Sequence, residues 1–230
     1  MTAYYPAAEL RYRVVDDLAV ILDLRTGEYV ILDRTATTMW RVLLDTEPER
    51  RLPTLQHHFD APAERLAADL EGFAASCVER GFLRRERPPP PPPPAELEVA
   101  ARGSLLLRAW WTLFVTTRGL ARQQFPQIYR RCSQLPKPTT SGSRSDDLLR
   151  RALAAFSGAE NFFIIAAAPR DCLPRSLALY RFLMTSGVPV EHCIGVVRYP
   201  FEAHAWVEYR GEVLLDAPDY VRSYAELARM

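Results

Sequence analysis

The sequence predicts an α+β protein in two parts, on three observations. Short alternating strand patterns followed by three helical patterns fill residues 10–84. Seven consecutive prolines, Pro88–Pro94, then interrupt the chain. Beyond them, a helix beginning at Cys172 leads into a strand hairpin that carries His204 and Asp216.

In the first part, Leu10–Val15, Leu18–Asp23 and Glu28–Leu32 read as strands, with Arg25-Thr26-Gly27 as a turn. Asp33 is placed as the N-cap of a helix that sets Ala36, Met39, Trp40, Leu43 and Leu44 at helical spacing. A second short helix is expected over Leu52–Phe59. Asp60 or Pro62 opens a third, with Leu66, Leu70, Phe73, Cys77 and Val78 on one face and Gly81 as its stop. Phe82 and Leu83 are expected to fold back on the core. Three strands followed by three helices describe a winged-helix-like α+β module. The proline run favours extended polyproline II, about 3.1 Å per residue. The expected organisation is therefore residues 1–87, a linker over 88–95, and residues 96–230.

In the second part, residues 96–130 read as one or two helices that bury Leu105, Leu106, Trp110, Leu113, Phe114 and Leu120. Leu135–Ser145 is polar and rich in Pro, Ser, Thr and Gly, hence a surface loop. Asp146 or Asp147 caps a helix through Phe156. The Phe162–Ala168 run is apolar without a period and is expected to lie buried behind Cys172. Pro174 suits the first turn of a helix, apolar residues recur through Leu177, Tyr180, Leu183 and Met184, and Gly187 with Pro189 ends the pattern. Cys172 thus stands at a helix start, where free backbone N–H groups favour a negatively charged sulfur.

Glu202–Asp216 reads as two strands around a turn. A two-residue loop at Arg210-Gly211 needs positive φ at Arg210, so a three-residue loop, Tyr209-Arg210-Gly211, is preferred. In that register Glu208 faces Glu212, and His204 faces Asp216 on one side of the sheet. Asp219 is the reserve carboxylate. A thiol at a helix start, then a histidine and an acid on one hairpin, is the layout of a cysteine-nucleophile hydrolase. Cys77, Cys132 and Cys193 form no C-x-x-C pair, and His57, His58 and His192 lack ligand spacing, so no metal site is expected.

The formal net charge is +1. Residues 1–87 hold 12 basic and 15 acidic side chains, and residues 88–230 hold 17 and 13. That balance argues against nucleic-acid and anionic-membrane binding. No signal-like opening or membrane-length apolar run is present, and four scattered cysteines suit a reducing compartment, so a cytoplasmic protein is expected.

Ile21–Leu32, Asp33-Arg34-Thr35-Ala36, Met39-Trp40 and Gly81-Phe82-Leu83 resemble the PqqD-like family, the recognition element for precursors of ribosomally made, modified peptides. That resemblance implies leader binding as an added β-strand along Glu28, Tyr29, Val30, Ile31 and Leu32. A pocket wall would lie on the third helix at Arg65, Leu66, Asp69, Leu70 and Phe73. Leu66, Leu70 and Phe73 also fit ordinary core positions. Cys172–Leu179, Gly195-Val196, Phe201–Glu208 and Gly211–Asp216 resemble the lasso peptide B2 family, transglutaminase-like, papain-like cysteine peptidases. Joined, the two parts look like a lasso peptide biosynthesis B protein, which removes the leader from a lasso precursor so that a partner cyclase closes the macrolactam. Cys172, His204 and Asp216 fall on the family's triad. The resemblance also implies a need for ATP, yet no G-x-x-x-x-G-K-[ST] loop occurs, so no cofactor is expected from a motif in the chain. The rival expectations are a transglutaminase-like acyl transferase and a non-catalytic precursor chaperone.

Overall fold

The computed structural model describes residues 2–89, 103–122, 125–138, 143–162 and 171–230. The chain divides into two compact units, Met1–Pro91 and Pro92–Met230. The expected conformation of Pro90–Pro94 lies outside the described residues, as does most of the apolar run after Phe162.

The first unit runs β1 (Tyr5–Pro6), β2 (Leu10–Val15), β3 (Leu18–Asp23), β4 (Glu28–Ile31), α1 (Arg34–Asp45), a 3₁₀ turn at Pro48–Arg50, α2 (Arg51–His58), α3 (Ala63–Glu79) and β5 (Leu83–Arg84). β2, β3 and β4 form an antiparallel sheet in that order, so β4 is an edge strand. The Asp16-Asp17 connection takes positive φ at both residues, a conformation that short acidic side chains tolerate. Asp33 caps α1 by accepting from the Ala36 N–H at 2.7 Å. Trp40 is fully buried and meets the Tyr12 ring edge-on at 5.4 Å. Leu66, Leu70, Ala74 and Cys77 bury one stripe of α3 against the same core. β5 pairs with β1, so the residues after Gly81 return to the unit as a strand. Gly81 has φ +72, and a Cβ there would sit 2.5 Å from the Arg25 guanidinium. Arg25 itself holds buried Asp23 through Nη2 at 2.6 Å, and the Arg80 carbonyl at 3.2 Å.

The second unit runs α4 (Leu105–Ala121), α5 (Phe125–Ser133), α6 (Ser143–Phe162), α7 (Cys172–Thr185), β6 (Glu191–Val197), β7 (Glu202–Tyr209), β8 (Glu212–Leu214), α8 (Pro218–Val221) and β9 (Ala225–Arg229). The sheet is antiparallel in the order β8-β7-β6-β9, and α7 packs on β7 and α4. Both units are α+β.

Three expectations need correction here. α6 starts at Ser143 and ends at Phe162, so it takes residues expected in the preceding loop and runs past Phe156. Asp146 does not act as its cap; it accepts from the Tyr209 hydroxyl at 2.8 Å and pairs with Arg210 at 3.4 Å. On α4 the fully buried side is Ala109, Leu113 and Thr116. Leu106 and Trp110 are exposed, and Trp110 stacks parallel on Phe114 at 5.6 Å. The stripe Ala109, Leu113 and Thr116 is the one turned inward, in a helix that packs on α6 and α7.

Candidate active site

Cys172 is the first residue of α7 and is partly buried. Asp171 stands at the N-cap position but makes no side-chain cap, so backbone N–H groups of the first turn remain available. Two anchors fix the helix. Ser176, one turn on, has Oγ 2.9 Å from Nε2 of the fully buried His192 on β6. At the other end, Arg108 of α4 donates to the Thr185 carbonyl at 2.9 Å.

His204 Nε2 lies 2.7 Å from Asp216 Oδ2, with both side chains largely shielded from solvent. The other carboxylate oxygen of Asp216 accepts from the Ala217 N–H at 2.8 Å. Since Nε2 is taken, Nδ1 is the ring nitrogen left for the Cys172 thiol. The hydrogen bond with Cys172 is the largest cause that raises the imidazole above its ordinary value; Asp216 adds to it, and partial burial opposes it. The thiol also points toward the Ala203 carbonyl, 4.0 Å away. Asp219, the reserve carboxylate, is exposed and pairs with Arg222 at 2.9 Å.

The route by which Asp216 reaches His204 differs from the expected one. Tyr209 faces Glu212, Glu208 faces Val213, and Val207 faces Leu214. The loop is therefore the two-residue Arg210-Gly211, with φ +52 and +82. The strain at Arg210 is offset by stacking on the Tyr209 ring at 4.8 Å and by the ion pair with Asp146. Continued without change, this register sets Asp216 opposite Ala205, on the wrong face of the sheet. The ladder instead ends at Leu214, and Leu215 takes φ +53. That left-handed residue turns Asp216 back to His204.

Arg175 holds the turn. Its Nη1 donates to the Leu215 carbonyl at 2.8 Å, while Nε and Nη2 bind the two Glu160 oxygens at 2.6 and 3.3 Å. One side chain on the cysteine helix thus braces the segment that aims the acid. Sequence reasoning did not find this role for Arg175; its place three residues after Cys172, on the same helix face, was the available signal.

An aromatic wall stands behind the imidazole. His204 stacks on Trp206 at 6.2 Å and contacts the rings of Tyr220 and Tyr224 at 5.1 and 5.2 Å. Gly195 on β6 makes room for this packing, because a Cβ there would lie 2.8 Å from Trp206 and 2.9 Å from Tyr224. Tyr220 donates to Glu202 at 2.6 Å, which lowers the carboxyl's affinity for protons and raises that of the phenol.

Residues 110–229 match the family model described as the transglutaminase-like superfamily, just over half of the chain. The chain belongs to the transglutaminase-like superfamily. Residues 19–83 match coenzyme PQQ synthesis protein D (PqqD), so a PqqD-like region precedes the transglutaminase-like one. The microcin J25-processing protein McjB of Escherichia coli is 45% identical over 49 residues, 21% of this chain and 24% of that protein. The chain thus matches about a quarter of the length of that curated relative. Among solved structures, TbiB1 in complex with the TbiA(beta) leader peptide is 21% identical and covers 36% of this chain and 98% of that one, with a TM-score of 0.33.

In the PqqD-like region, Glu28, Tyr29, Val30 and Ile31 form the edge strand β4, and Leu32 follows it, buried. Ile31 is exposed at the edge, and Val30 packs against the core. On α3, Arg65 and Asp69 are exposed and face each other at 3.8 Å. Leu66 and Leu70 are core residues, and Phe73 is half-buried against them. A second oxyanion donor beside the Cys172 N–H would have to come from a side chain such as a glutamine; Gln127 and Gln134 are exposed on and just after α5, and Gln123 and Gln124 lie outside the described residues. Among the described residues, no helix is long and apolar enough to cross a membrane.

Proposed function

We propose that this chain binds the leader of a ribosomally made lasso precursor peptide and severs leader from core by thiol catalysis. The observation that carries the reading is the hydrogen-bonded series Cys172, His204 and Asp216 at the start of α7, in a chain whose other region is PqqD-like. The name of the microcin J25-processing relative supports a precursor peptide as the substrate class, over the segment it shares.

In this reading the leader adds to the β4 edge beside Arg65, Asp69 and Phe73, and the backbone ladder supplies affinity. Cys172, deprotonated by His204, attacks the carbonyl at the leader–core junction. The oxyanion is met by the Cys172 backbone N–H at the open first turn of α7. His204 then passes its proton to the leaving amine of the core, leaving the leader as a thioester. Water, deprotonated by His204, hydrolyses the thioester and restores the thiol. Asp216 keeps the ring oriented with one nitrogen toward sulfur and stabilises its charged form. Leader binding raises the junction's effective concentration at the thiol. The freed core passes to a partner cyclase, and a reducing cytoplasm suits the free thiol.

Mass spectrometry of the cognate precursor incubated with the full chain, beside Cys172→Ala, tests this. A leader fragment formed by the wild type and lost in the variant, with leader affinity unchanged, is the expected result. Equal cleavage by Cys172→Ala would overturn the proposal. Tight binding without cleavage would identify a chaperone, and isopeptide products an acyl transferase.

A further inference from the structure

We propose that Glu202 is the subsite for the amine end of the core, accepting from the nitrogen that leaves the thiol-bound carbonyl and from the ammonium it becomes. This rests on the peptidase reading of the same site. Glu202 opens β7 two residues before His204, so both side chains rise from one face of the sheet. The Ala203 carbonyl between them lies 4.0 Å from Cys172 Sγ. The carboxylate therefore stands at the mouth of the site, beside the thiol and the imidazole.

It is also held there. Tyr224, buried in a cluster with Cys193 and Trp206, donates to the Tyr220 hydroxyl at 2.6 Å, and Tyr220 donates to Glu202 Oε1 at 2.6 Å. The Tyr220 ring meets His204 edge-on at 5.1 Å, so one side chain spans from the imidazole to the carboxylate. The bond from Tyr220 keeps the carboxyl below its ordinary value, hence ionised. Glu202 is exposed, and among the described residues no arginine or lysine pairs with it. An exposed carboxylate needs no such support for the fold, and its hydrogen bonds at the surface contribute little to stability. Two phenols in series, rooted in the core, instead fix an uncompensated charge next to the catalytic pair.

That charge does not help the nucleophile, since a neighbouring anion disfavours a thiolate. It suits the leaving group. When the C–N bond of the tetrahedral intermediate breaks, His204 delivers its proton to nitrogen, and the core departs as a neutral amine. An α-amine has an ordinary pKa of about 7.7–8.0, so near neutral pH it takes a further proton from water and becomes an ammonium. The nitrogen must lie within hydrogen-bond reach of His204 for the first transfer. A carboxylate beside that ring, on the same face, meets the nascent N–H groups, and its bond to them strengthens as positive charge appears. The leader ends as a carboxylate, which Glu202 repels, so the subsite reads the core and not the leader.

Titration calorimetry at pH 7 and constant ionic strength tests the subsite on the full chain carrying Cys172→Ala. The probes are two synthetic versions of the cognate core peptide, one with a free N-terminal amine and one acetylated. The free amine should bind about fivefold more tightly, the size of a well-oriented exposed ion pair. Adding Glu202→Gln, an exposed and nearly isosteric change whose fold is checked by circular dichroism, should abolish that preference and leave the acetylated peptide's affinity unchanged. Tyr220→Phe should reduce the preference, because the carboxylate is then no longer held. Equal binding of the two peptides, no measurable binding of either, or a preference that survives Glu202→Gln would overturn the proposal. Precursor cleavage by the wild type, measured in parallel, keeps the two readings apart. Cleavage without an amine preference rejects the role of Glu202 alone, whereas an amine preference without cleavage rejects the peptidase and retains the subsite.

Discussion

Replacing Arg175 by alanine removes one guanidinium that holds both Glu160 and the Leu215 carbonyl. The contact with Leu215 is a charge-assisted hydrogen bond, a class that contributes about 1.5–3 kcal/mol. Leucine in the left-handed region costs about 1–2 kcal/mol, and this bond helps to hold it there. Without it, Leu215 relaxes toward extended backbone and carries Asp216 toward the Ala205 face. We therefore expect a loss of about 2–4 kcal/mol in stability. Misplacing a catalytic group by about 1 Å costs on the order of 100-fold in turnover, so cleavage should fall by about that factor. Urea unfolding and single-turnover precursor cleavage measure the two effects. Leu215→Gly placed on the Arg175→Ala background should recover part of both, because glycine adopts positive φ freely. If Arg175→Ala cleaves within twofold of the wild type, Asp216 is not aimed by this brace and the reasoning fails.

Other outcomes follow from the same geometry. The raised His204 contributes stability that is complete below the ordinary imidazole value near 6.5 and is lost as pH rises through its folded value. Urea midpoints of wild type and His204→Gln should therefore converge as pH rises, and divergence would show that the imidazole is not held as the charged partner. Buried His192 acts in the opposite sense. Desolvation pushes it down to about 3, so its contribution is lost as pH falls below about 6.5, and wild type should lose stability on acidification in a way that His192→Gln does not. Gly195→Ala should overpack Trp206 and Tyr224 and cost about 1–3 kcal/mol by urea unfolding; a neutral result would mean that the ring wall yields. In the first unit, burial pushes the Asp23 carboxyl up, but its bonds with Arg25 outweigh this and hold it below the usual value of 3.8. Asp23→Asn should destabilise the unit at neutral pH by about 1.5–3 kcal/mol, and the gap to wild type should close as pH falls through the acidic range.

What was legible in the sequence was local. The limits of β2 and β3, the Asp33 cap and the start of α7 at Cys172 depend on side chains a few residues apart, and pattern alone finds them. The meeting of His204 with Asp216 was also expected, but through a register the chain does not adopt. Two distant side chains decide the real path. Asp146, 64 residues before Arg210, helps that arginine into the tight turn, and Arg175, 40 residues before Leu215, holds the left-handed residue. Neither partner is visible in the hairpin's own sequence. The same holds for α4, where Trp110 looked like core by spacing, yet the neighbouring helices select Ala109, Leu113 and Thr116. Helical period shows which residues share a face, and only packing decides which face is inside.

The most direct test of the central claim uses a leader peptide ending in a thiol-reactive group at the junction position, with tandem mass spectrometry to find where it attaches. Cys77 and Cys132 are pushed up to about 11 and Cys193 to about 12, each chiefly by burial, so they should stay unreacted near neutral pH. One adduct is expected, on Cys172, suppressed by excess free leader and slowed strongly in His204→Ala. Labelling spread over the buried cysteines, or an unlabelled Cys172 in a chain that still cleaves its precursor, would contradict it.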